Sequence, residues 1–588
     1  MEQQLHLLKK PFSNYLVILL FVIVGFVLYA NTLQNQMFWD DDDGILKNQY
    51  IKNWRYFPKF FSENLIAGAG LLSNYWRPIL LSVFSLEWHL WRDWPVGYHF
   101  VNTSFHITNA ILLFFILFHL FKKRWLAVIT SLIFLIHPLQ TEVVTYVSGL
   151  GDPLSVLFMF LGILFYLKFR ISKKTSFRSY FYFLSLLMYI LALLSKETAI
   201  VMPAFILIVD FFFLSCNQGK LSFKEKLKEI GKEILPFLIL AGIYVLLRAT
   251  SLNFINTFNL YNEENIFTSN FHIRLFTFFR ILTIYFGLLF WPFNLHMERS
   301  VEIATSFFSP SVIFGGLMFL GLLALAFSQF KRFPVLSFGI LWFFIGLAPT
   351  SNLVIPISGL LYEHWLYLPM VGIFLILVWL GEVLTKRYNL QKILIGILIA
   401  FLIFLSVLTI DRNRDWQDPI TFYNQTLKYA PTSYRVINNL GMAYDDKDDY
   451  EQAEKTYQRA ISLDPSNPVA YHNLGNTYRK TGEIDSAIEN FKTAISLNPK
   501  FIFSSNALIS LYLENKNYKE AREVLENYLD YSDSKIDTLF LLAQIAIEEK
   551  DFKAALSYLE KALAIDPRNQ LIQISIGNIK NLIEKSTF

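Results

Sequence analysis

The distribution of apolar and polar residues divides the chain into two halves. Up to about residue 410, apolar runs alternate with short polar loops, whereas from Asp411 onward charged residues are frequent and no such run occurs. The first half therefore predicts a polytopic, all-α membrane domain of about eleven spans, each near 20 residues. These spans are expected near residues 14–31, 99–120, 125–140, 153–168, 179–195, 199–215, 234–249, 311–329, 334–349, 366–384 and 393–410.

Basic residues in short loops predict the orientation of these helices, because Lys and Arg concentrate on the cytoplasmic side. The basic clusters are Lys9-Lys10, Lys122–Arg124, Lys168–Arg178, Lys220–Lys232, Lys331-Arg332 and Lys386–Lys392. Placing all of them inside puts the N-terminus inside and the polar C-terminal half outside. The predicted side of the C-terminal half depends on whether the apolar stretch Phe271–Trp291 crosses the membrane. Because it carries Arg274 and Arg280, we interpret it as a helix lying along the outer interface rather than as a span.

Composition supports a membrane protein, since 54% of residues are hydrophobic and the mean hydropathy is +0.39. The net charge is only +5, and the basic residues lie in short loops between the predicted spans. This distribution is typical of a membrane protein with a defined orientation rather than of a nucleic-acid-binding protein. The single cysteine, Cys216, excludes an internal disulfide and gives no support for a thiolate metal site. Lys9 and Lys10 precede an apolar run without a small-residue cleavage site before Asn31, which predicts an uncleaved signal anchor. A cytoplasmic (inner) membrane of a prokaryote is expected, or the ER membrane if the protein is eukaryotic.

Four consecutive carboxylates, Asp40–Asp43, follow the first apolar run at the predicted external face. Neighbouring like charges raise each other's pKa unless a cation, a hydrogen-bond donor or water offsets them. A solvated acidic turn would explain the run, and so would a general base held at the membrane surface. The residues alone leave both explanations open.

Other ionisable residues fall at the same predicted face, where such groups often line a site. They are Arg77, His137, Glu142, Asp152, Lys196, Glu197, Arg248, Glu363 and His364. We expect them to bind the phosphate of a donor or to position a substrate, although pairing within the fold, such as Lys196 with Glu197, is the alternative. Their spacing matches no metal-ligand pattern. No metal site is therefore predicted, and a requirement for a divalent cation stays open.

From Pro431 the chain repeats with a period of 34 residues. The columns are Pro431, Pro465, Pro499 and Pro567; Gly441 and Gly475; Leu440, Leu474, Leu508 and Leu542; and Ala453, Ala487, Ala521 and Ala555. Small and large apolar residues at this period indicate tetratricopeptide repeats of two helices each. About four units are expected, with Asp533 at the missing proline position, a degenerate third unit and a capping helix at 569–585. A half-repeat at 416–429 would join this solenoid to the last span.

These motifs together resemble the transmembrane and tetratricopeptide-repeat-containing (TMTC) O-mannosyltransferase family, a branch of the GT-C glycosyltransferases. The resemblance covers nearly the whole chain, and the motifs come in the family's order. The matching segments are Trp39-Asp40-Asp41 with Gly44-Ile45 and Asn48, Trp76–Ile79, His137-Pro138 with Thr141-Glu142, Gly149–Asp152, Ser195–Glu197 and Glu363–Pro369. His364 stands where the family has an arginine, which weakens a phosphate clamp there.

The resemblance implies three regions and a reaction. Residues 1–410 would form a GT-C-type membrane domain with the first external loop at 31–98, residues 411–430 a connecting half-repeat, and residues 431–588 an extracytoplasmic repeat domain. The donor would be a polyprenyl-phosphate-linked sugar, mannose by analogy, and the acceptor a Ser or Thr hydroxyl of a protein recruited by the repeats. Asp41 is the first choice for the general base and Asp40 the second. Lys196, Arg77 and Arg248 would stabilise the leaving phosphate.

Two other functions remain compatible with the sequence. A GT-C enzyme with this membrane domain could transfer its sugar to a glycolipid or a cell-wall polymer. A membrane-anchored scaffold without enzymatic activity would explain the repeats, but it would not need an acidic run beside cationic junctions. The residues leave the sugar, the acceptor and the oligomeric state open.

Overall fold

The computed structural model describes residues 13–172, 174–217, 223–254, 265–357, 359–388, 390–532 and 534–586. These residues form helices and turns without any β-strand, which confirms the all-α fold class. The chain divides into two compact units, Met1–Gln425 and Thr426–Phe588. Their boundary lies inside the segment 411–430 that the sequence assigns to a connecting half-repeat. Predictions that involve Lys9, Lys10, Lys220 and Asp533 fall outside the described residues.

The first unit is built on helices long and apolar enough to cross a membrane. The described residues contain eight of them, or nine if the pair Arg124–Ile136 and Pro138–Thr145, bent by 54°, counts as one span. The eight are Asn14–Thr32, Pro95–Phe121, Val147–Ile171, Thr175–Ser195, Ile230–Ala249, Phe271–Phe290, Pro310–Gln329 and Gln391–Arg414. The spans expected at 199–215, 334–349 and 366–384 appear as Met202–Asn217, Pro334–Leu347 and Met370–Tyr388, which are shorter or end in charged residues. The total of about eleven spans stays a prediction.

The helix Phe271–Phe290 has the length and apolarity of a span, yet several of its hydrogen-bond partners are in connecting segments. Thr277 accepts from the backbone N–H of Ala304, and Arg280 donates to the Glu302 carbonyl. Farther along, the Tyr285 hydroxyl donates to the Tyr362 carbonyl. The same helix also packs Phe278 and Phe279 against Phe319 of the helix Pro310–Gln329, and its interfacial orientation stays a prediction.

The long first loop folds on a small apolar core of its own. Its main helix, Pro78–Trp91, buries Leu80, Leu81 and Phe84 against Val147 and Leu150. Asn48 is fully buried and holds the loop by donating to the Leu65 carbonyl at 3.1 Å. This core fixes the acidic run against the segment that opens the helix Gly151–Ile171.

The second unit consists of paired helices at the predicted 34-residue spacing. They are Tyr434–Asp445 with Tyr450–Leu463, Pro468–Thr481 with Ile484–Leu497, Ile502–Glu514 with Tyr518–Tyr528, Lys535–Glu548 with Phe552–Ile565, and the final helix Gln570–Ser586. A Cβ built on Gly441 would lie 2.6 Å from the Tyr457 ring, and one on Gly475 2.8 Å from the Phe491 ring. The repeated glycines are therefore required for close packing of the two helices in a unit, as the sequence predicted.

Candidate active site

Asp41 is a buried anchor within the acidic run. Its side chain is 1% exposed. Its Oδ1 accepts from the backbone N–H of Ser148 at 2.8 Å and from the Ser148 hydroxyl at 2.5 Å, and its Oδ2 accepts from the N–H of Phe38 at 3.2 Å. Burial raises the pKa of the Asp41 carboxyl to about 7, although these hydrogen bonds oppose the shift.

Asp40, its neighbour, is exposed at the edge of the same structure. The backbone N–H of Asp40 donates to the hydroxyl of buried Tyr146 at 3.1 Å, and Trp39 before it adopts a left-handed backbone with φ of 65°. Such a conformation is costly for a residue other than glycine and is frequent at functional sites. Asp40 is thus the acidic residue that a bound substrate could reach most directly.

The last two aspartates of the run are partly exposed, as expected for residues that face water. Lys47 Nζ lies 3.3 Å from Asp42 Oδ2 and 3.9 Å from Asp43 Oδ1. Ion pairs with this much exposure contribute little to stability. Asp43 is therefore a suitable control position for the acidic run.

Two ion pairs form a cationic cluster at the start of the helix Gly151–Ile171. Arg77 makes a bidentate contact with Glu197, with Nε–Oε2 and Nη2–Oε1 distances of 3.0 and 2.5 Å, and Lys196 Nζ lies 2.7 Å from Asp152 Oδ2. A Cβ built on Gly151 would lie 3.7 Å from both Arg77 Nη1 and Lys196 Cδ, so the two pairs adjoin. Burial alone would raise the pKa of Glu197, but Arg77 outweighs it and lowers that pKa to about 2.

These pairs differ from the pairing of Lys196 with Glu197 that the sequence left open as an alternative. Lys196 pairs with Asp152 rather than with its chain neighbour Glu197, because consecutive residues at a helix junction point in different directions. Arg77 pairs with Glu197 instead. Arg248 comes close to the same cluster, since the Tyr244 hydroxyl on its helix interacts electrostatically with Glu197, Arg248 and Arg77.

A second charged cluster surrounds Glu363, which lies between the helices Pro334–Leu347 and Met370–Tyr388. Glu142 Oε1 lies 2.7 Å from His364 Nδ1. Buried Glu363 accepts from Arg299 Nη2 at 2.8 Å and lies 3.6 Å from Arg412 Nη2. Burial raises the pKa of Glu363, while both arginines act to lower it.

Sequence reasoning missed Arg299 and Arg412. Arg412 lies just beyond the predicted end of the last span and was counted with the soluble half. The side chain of Arg412 is only 6% exposed, and it also contacts Asp415 at 2.9 Å. An arginine within two residues of a span that ends on the external side was the signal that could have revealed it.

His137 has a structural role in this fold. Its ring is fully buried, Nδ1 accepts from the Leu139 N–H at 3.2 Å, and Nε2 lies 3.3 Å from the Leu289 carbonyl. Both ring nitrogens are thus occupied by the backbone. A direct contact of His137 with substrate is not supported by this geometry.

One segment, residues 141–152, connects these parts and is called the hub below. Glu142 contacts His364, Tyr146 contacts Asp40, Ser148 contacts Asp41, and Asp152 contacts Lys196. Ser148 and Asp152 are separated by about one helical turn, or roughly 6 to 8 Å along the axis. The acidic run and the cationic cluster therefore lie close together on consecutive turns of one segment.

This arrangement of charged residues does not assign a site for a metal ion. Among the described residues, no three His, Cys, Asp or Glu side chains come together in a group that could hold a metal ion. A requirement for a divalent cation thus stays without an assigned set of ligands.

Comparison with known proteins supports the resemblance seen in the motifs. The chain is 25% identical over 479 residues to the protein O-mannosyl-transferase TMTC3 of Mus musculus, covering 76% of this chain and 51% of that protein. It is 26% identical over 464 residues to the protein O-mannosyl-transferase F38B6.6 of Caenorhabditis elegans, covering 74% and 61%. The chain thus spans about half to three fifths of the length of these relatives.

Family models match the second unit. A model described as TPR repeat matches residues 441–482, and two described as tetratricopeptide repeat match residues 468–501 and 536–569. Among solved structures, the protein YrrB, described as a TPR protein with an unusual peptide-binding site, is 17% identical, with a TM-score of 0.22 over 33% of this chain and 96% of that chain. The repeat assignment is confirmed by the family models.

Proposed function

We propose that this TMTC-like chain is a membrane-embedded, inverting GT-C glycosyltransferase. It would transfer a sugar, mannose by analogy with its relatives, from a polyprenyl-phosphate donor to Ser or Thr hydroxyls of extracytoplasmic proteins. The observation that carries the proposal is the hub, which brings an exposed carboxylate and a cationic cluster together in a chain similar to protein O-mannosyl-transferases over about three quarters of its length.

Asp40 is the residue that we assign as the general base, with Asp41 as a positioning residue. A base works best with a pKa near the operating pH, which Asp41 meets. However, three donors from Ser148 and Phe38 occupy the Asp41 oxygens. Since a base must contact the proton that it removes, exposure favours Asp40.

The reaction then involves one proton and one leaving group. Asp40 removes the proton of the acceptor hydroxyl while that oxygen attacks the anomeric carbon. The bond between this carbon and the phosphate oxygen breaks, and polyprenyl phosphate leaves with the bonding electrons from the opposite face. Attack opposite to the leaving group inverts the configuration of the sugar.

Charge balance indicates which cluster would hold the phosphate. The first cluster pairs Arg77 with Glu197 and Lys196 with Asp152, and Arg248 adds a further cation near them. In the second cluster, three carboxylates outnumber two arginines. An anionic leaving group is therefore better stabilised by the first cluster. Glu363 and His364 would instead position the Glu142 end of the hub.

The test is sugar transfer by purified full-length protein with radiolabelled polyprenyl-phosphate-mannose, using proteins and lipids as separate acceptor pools. Asp40→Asn should lower kcat by about 10² to 10⁴, as for loss of a general base. Asp43→Asn, a matched control in the same run, should leave kcat nearly unchanged. Lys196→Ala should raise KM for the donor and lower kcat.

Each rival function has its own outcome in this assay. Label that appears only in lipid would move the function to a glycolipid transferase. Full activity of Asp40→Asn together with loss in Asp41→Asn would reverse the two roles. No transfer to either pool from any polyprenyl-phosphate sugar tested would favour a membrane-anchored scaffold.

A further inference from the structure

Tyr146 joins two helical turns of the hub and is held there by a buried amide. Its backbone is extended, with φ of −83° and ψ of 124°, between the helix Thr141–Thr145 and the turn Val147–Leu150. The fully buried Asn102 donates to the Tyr146 carbonyl at 2.9 Å and to the Val147 carbonyl at 3.3 Å. The main chain that carries the Tyr146 ring is therefore fixed in place.

The ring of Tyr146 is held by an aromatic contact on one face. It is 8% exposed and stacks on Trp416, with ring planes inclined by 28°. The Trp416 ring is supported in turn by Phe422, whose centroid lies 4.4 Å away. Because only two torsion angles place a tyrosine ring, this packing also fixes the position of the hydroxyl oxygen.

The hydroxyl of Tyr146 bonds to Asp40 in two ways. It accepts from the backbone N–H of Asp40 at 3.1 Å, and it donates to the carboxylate of the same residue. A phenolic hydroxyl has one proton to donate, so its donor is committed to Asp40. One group thus sets both the main-chain position and the side-chain orientation of Asp40.

The surroundings keep this hydroxyl a proton donor. Burial, together with the charges of Asp40 and Asp41, raises the pKa of Tyr146 well above its usual value. The hydroxyl therefore stays neutral where a carboxylate base works. A carboxylate has two oxygens with about four acceptor sites, so one hydrogen bond of this kind orients it without exhausting its capacity to accept a substrate proton.

We propose that Tyr146 is a positioning residue for the transfer reaction, whose hydroxyl orients the Asp40 carboxylate toward the acceptor hydroxyl. The inference rests on the proposed function and adds to it the residue that prepares the base. Tyr146 acts through Asp40 and not on the substrate, because its ring is buried. Loss of its hydroxyl should therefore slow the chemical step and leave donor binding unchanged.

The experiment compares sugar transfer by wild type and by Tyr146→Phe, which keeps the ring that stacks on Trp416 and removes only the hydroxyl. The variant should lower kcat by about 10- to 100-fold, as for loss of one hydrogen bond to a charged group. KM for radiolabelled polyprenyl-phosphate-mannose should not change. The acid limb of the pH profile of kcat should move to higher pH by about one unit, because the ionised form of Asp40 loses a donor.

A matched control removes a tyrosine hydroxyl elsewhere in the first unit. Tyr182 lies in the first half of the helix Thr175–Ser195, and its hydroxyl donates to the Glu233 carbonyl at 2.7 Å. Tyr182→Phe should therefore lose one hydrogen bond while kcat and its pH profile stay as in the wild type.

Two further variants separate positioning from general support of the fold. In Asp40→Asn, the added change Tyr146→Phe should cause little further loss, because the base through which it acts is already absent. Tyr146→fluorotyrosine keeps the hydroxyl but makes it a stronger donor, so the acid limb should move to lower pH. Multiplicative losses in the double variant, an unchanged kcat in Tyr146→Phe, or a pH profile that neither variant shifts would each overturn the inference.

The same measurements distinguish failure of this inference from failure of the proposed function. A large loss in Asp40→Asn with normal kcat in Tyr146→Phe would overturn the positioning role and leave the proposed function intact. Full activity of Asp40→Asn, or no transfer by the wild type, would overturn both.

Discussion

At the residue scale, two adjacent aspartates of one acidic run differ in environment. Asp41 is buried by contacts with Ser148, and Asp40 is exposed beside Tyr146, although nothing in the run itself distinguishes them. The sequence predicted a base among these residues and preferred Asp41. The partners that decide burial come from a segment more than 100 residues away, which a local pattern does not specify.

Asp41→Asn should change how stability depends on pH. Because the pKa of Asp41 is raised from its ordinary value near about 4 to about 7, the folded state holds a proton that the unfolded state releases. The wild type should therefore lose stability as the pH rises from about 4 to 7, by up to about 1.4 kcal/mol per unit of pKa shift.

Thermal unfolding at pH 5 and pH 8 in detergent checks this expectation. The Tm of the wild type minus that of Asp41→Asn should be larger at pH 5 than at pH 8, because only the wild type loses stability as the pH rises. Asp43→Asn, at a partly exposed position, should show no such trend. A difference that grows toward pH 8 would mean that Asp41 is a stabilising carboxylate at neutral pH.

At the element scale, the helix Phe271–Phe290 determines the orientation of everything that follows it. Its composition satisfies the requirements of a span. Three of its side-chain hydrogen bonds, at Thr277, Arg280 and Tyr285, reach connecting segments. Between them, Phe278 and Phe279 pack against Phe319 of the helix Pro310–Gln329. Hydropathy measures only whether a helix tolerates lipid, whereas neighbouring elements determine whether it crosses the bilayer or lies along it.

Cysteine labelling should resolve this orientation. With Cys216 replaced by Ser, a membrane-impermeant maleimide should modify Glu302→Cys in intact cells, because the side chain of Glu302 is exposed on the loop predicted to be outside. Lys331→Cys should react only after permeabilisation. The opposite labelling pattern would show that Phe271–Phe290 crosses the membrane, and it would place the repeat unit on the cytoplasmic side.

At the scale of the whole molecule, the hub and the start of the connecting half-repeat form one packed region of the first unit. Trp416, 1% exposed, stacks on Tyr146 with ring centroids 5.3 Å apart and packs against Phe38 and Phe422. Thr145 donates to Asn413 at 3.2 Å. The residues after the last long helix are thus part of the framework that supports Asp40.

Trp416→Ala should weaken this framework and lower activity on every acceptor. Removal of a fully buried tryptophan costs about 3 to 5 kcal/mol of stability, and Tyr146 would lose the ring that it stacks on. Tm and initial transfer rates on protein acceptors are the measurements, with Trp94→Ala as the control at a 55% exposed position. Unchanged transfer rates with a lowered Tm would separate this region from catalysis.

The sequence by itself determined the features that arise from local patterns. Long apolar runs predict helices that tolerate lipid, the 34-residue period predicts the paired helices of the second unit, and the ordered motifs indicate the resemblance to TMTC proteins. Gly475 illustrates why such patterns suffice, because the close approach of Phe491 recurs in the same register as that of Tyr457 on Gly441. Repetition and composition are visible without knowledge of distant contacts.

Only the tertiary structure decided which charged residues pair. It paired Lys196 with Asp152, Arg77 with Glu197, and the two missed arginines with Glu363. It also left Asp40 exposed while burying Asp41, and it gave His137 a structural role. The physical reason is that the charge and exposure of a buried ionisable group depend on neighbours brought together by folding, and these neighbours are tens to hundreds of residues away in the chain.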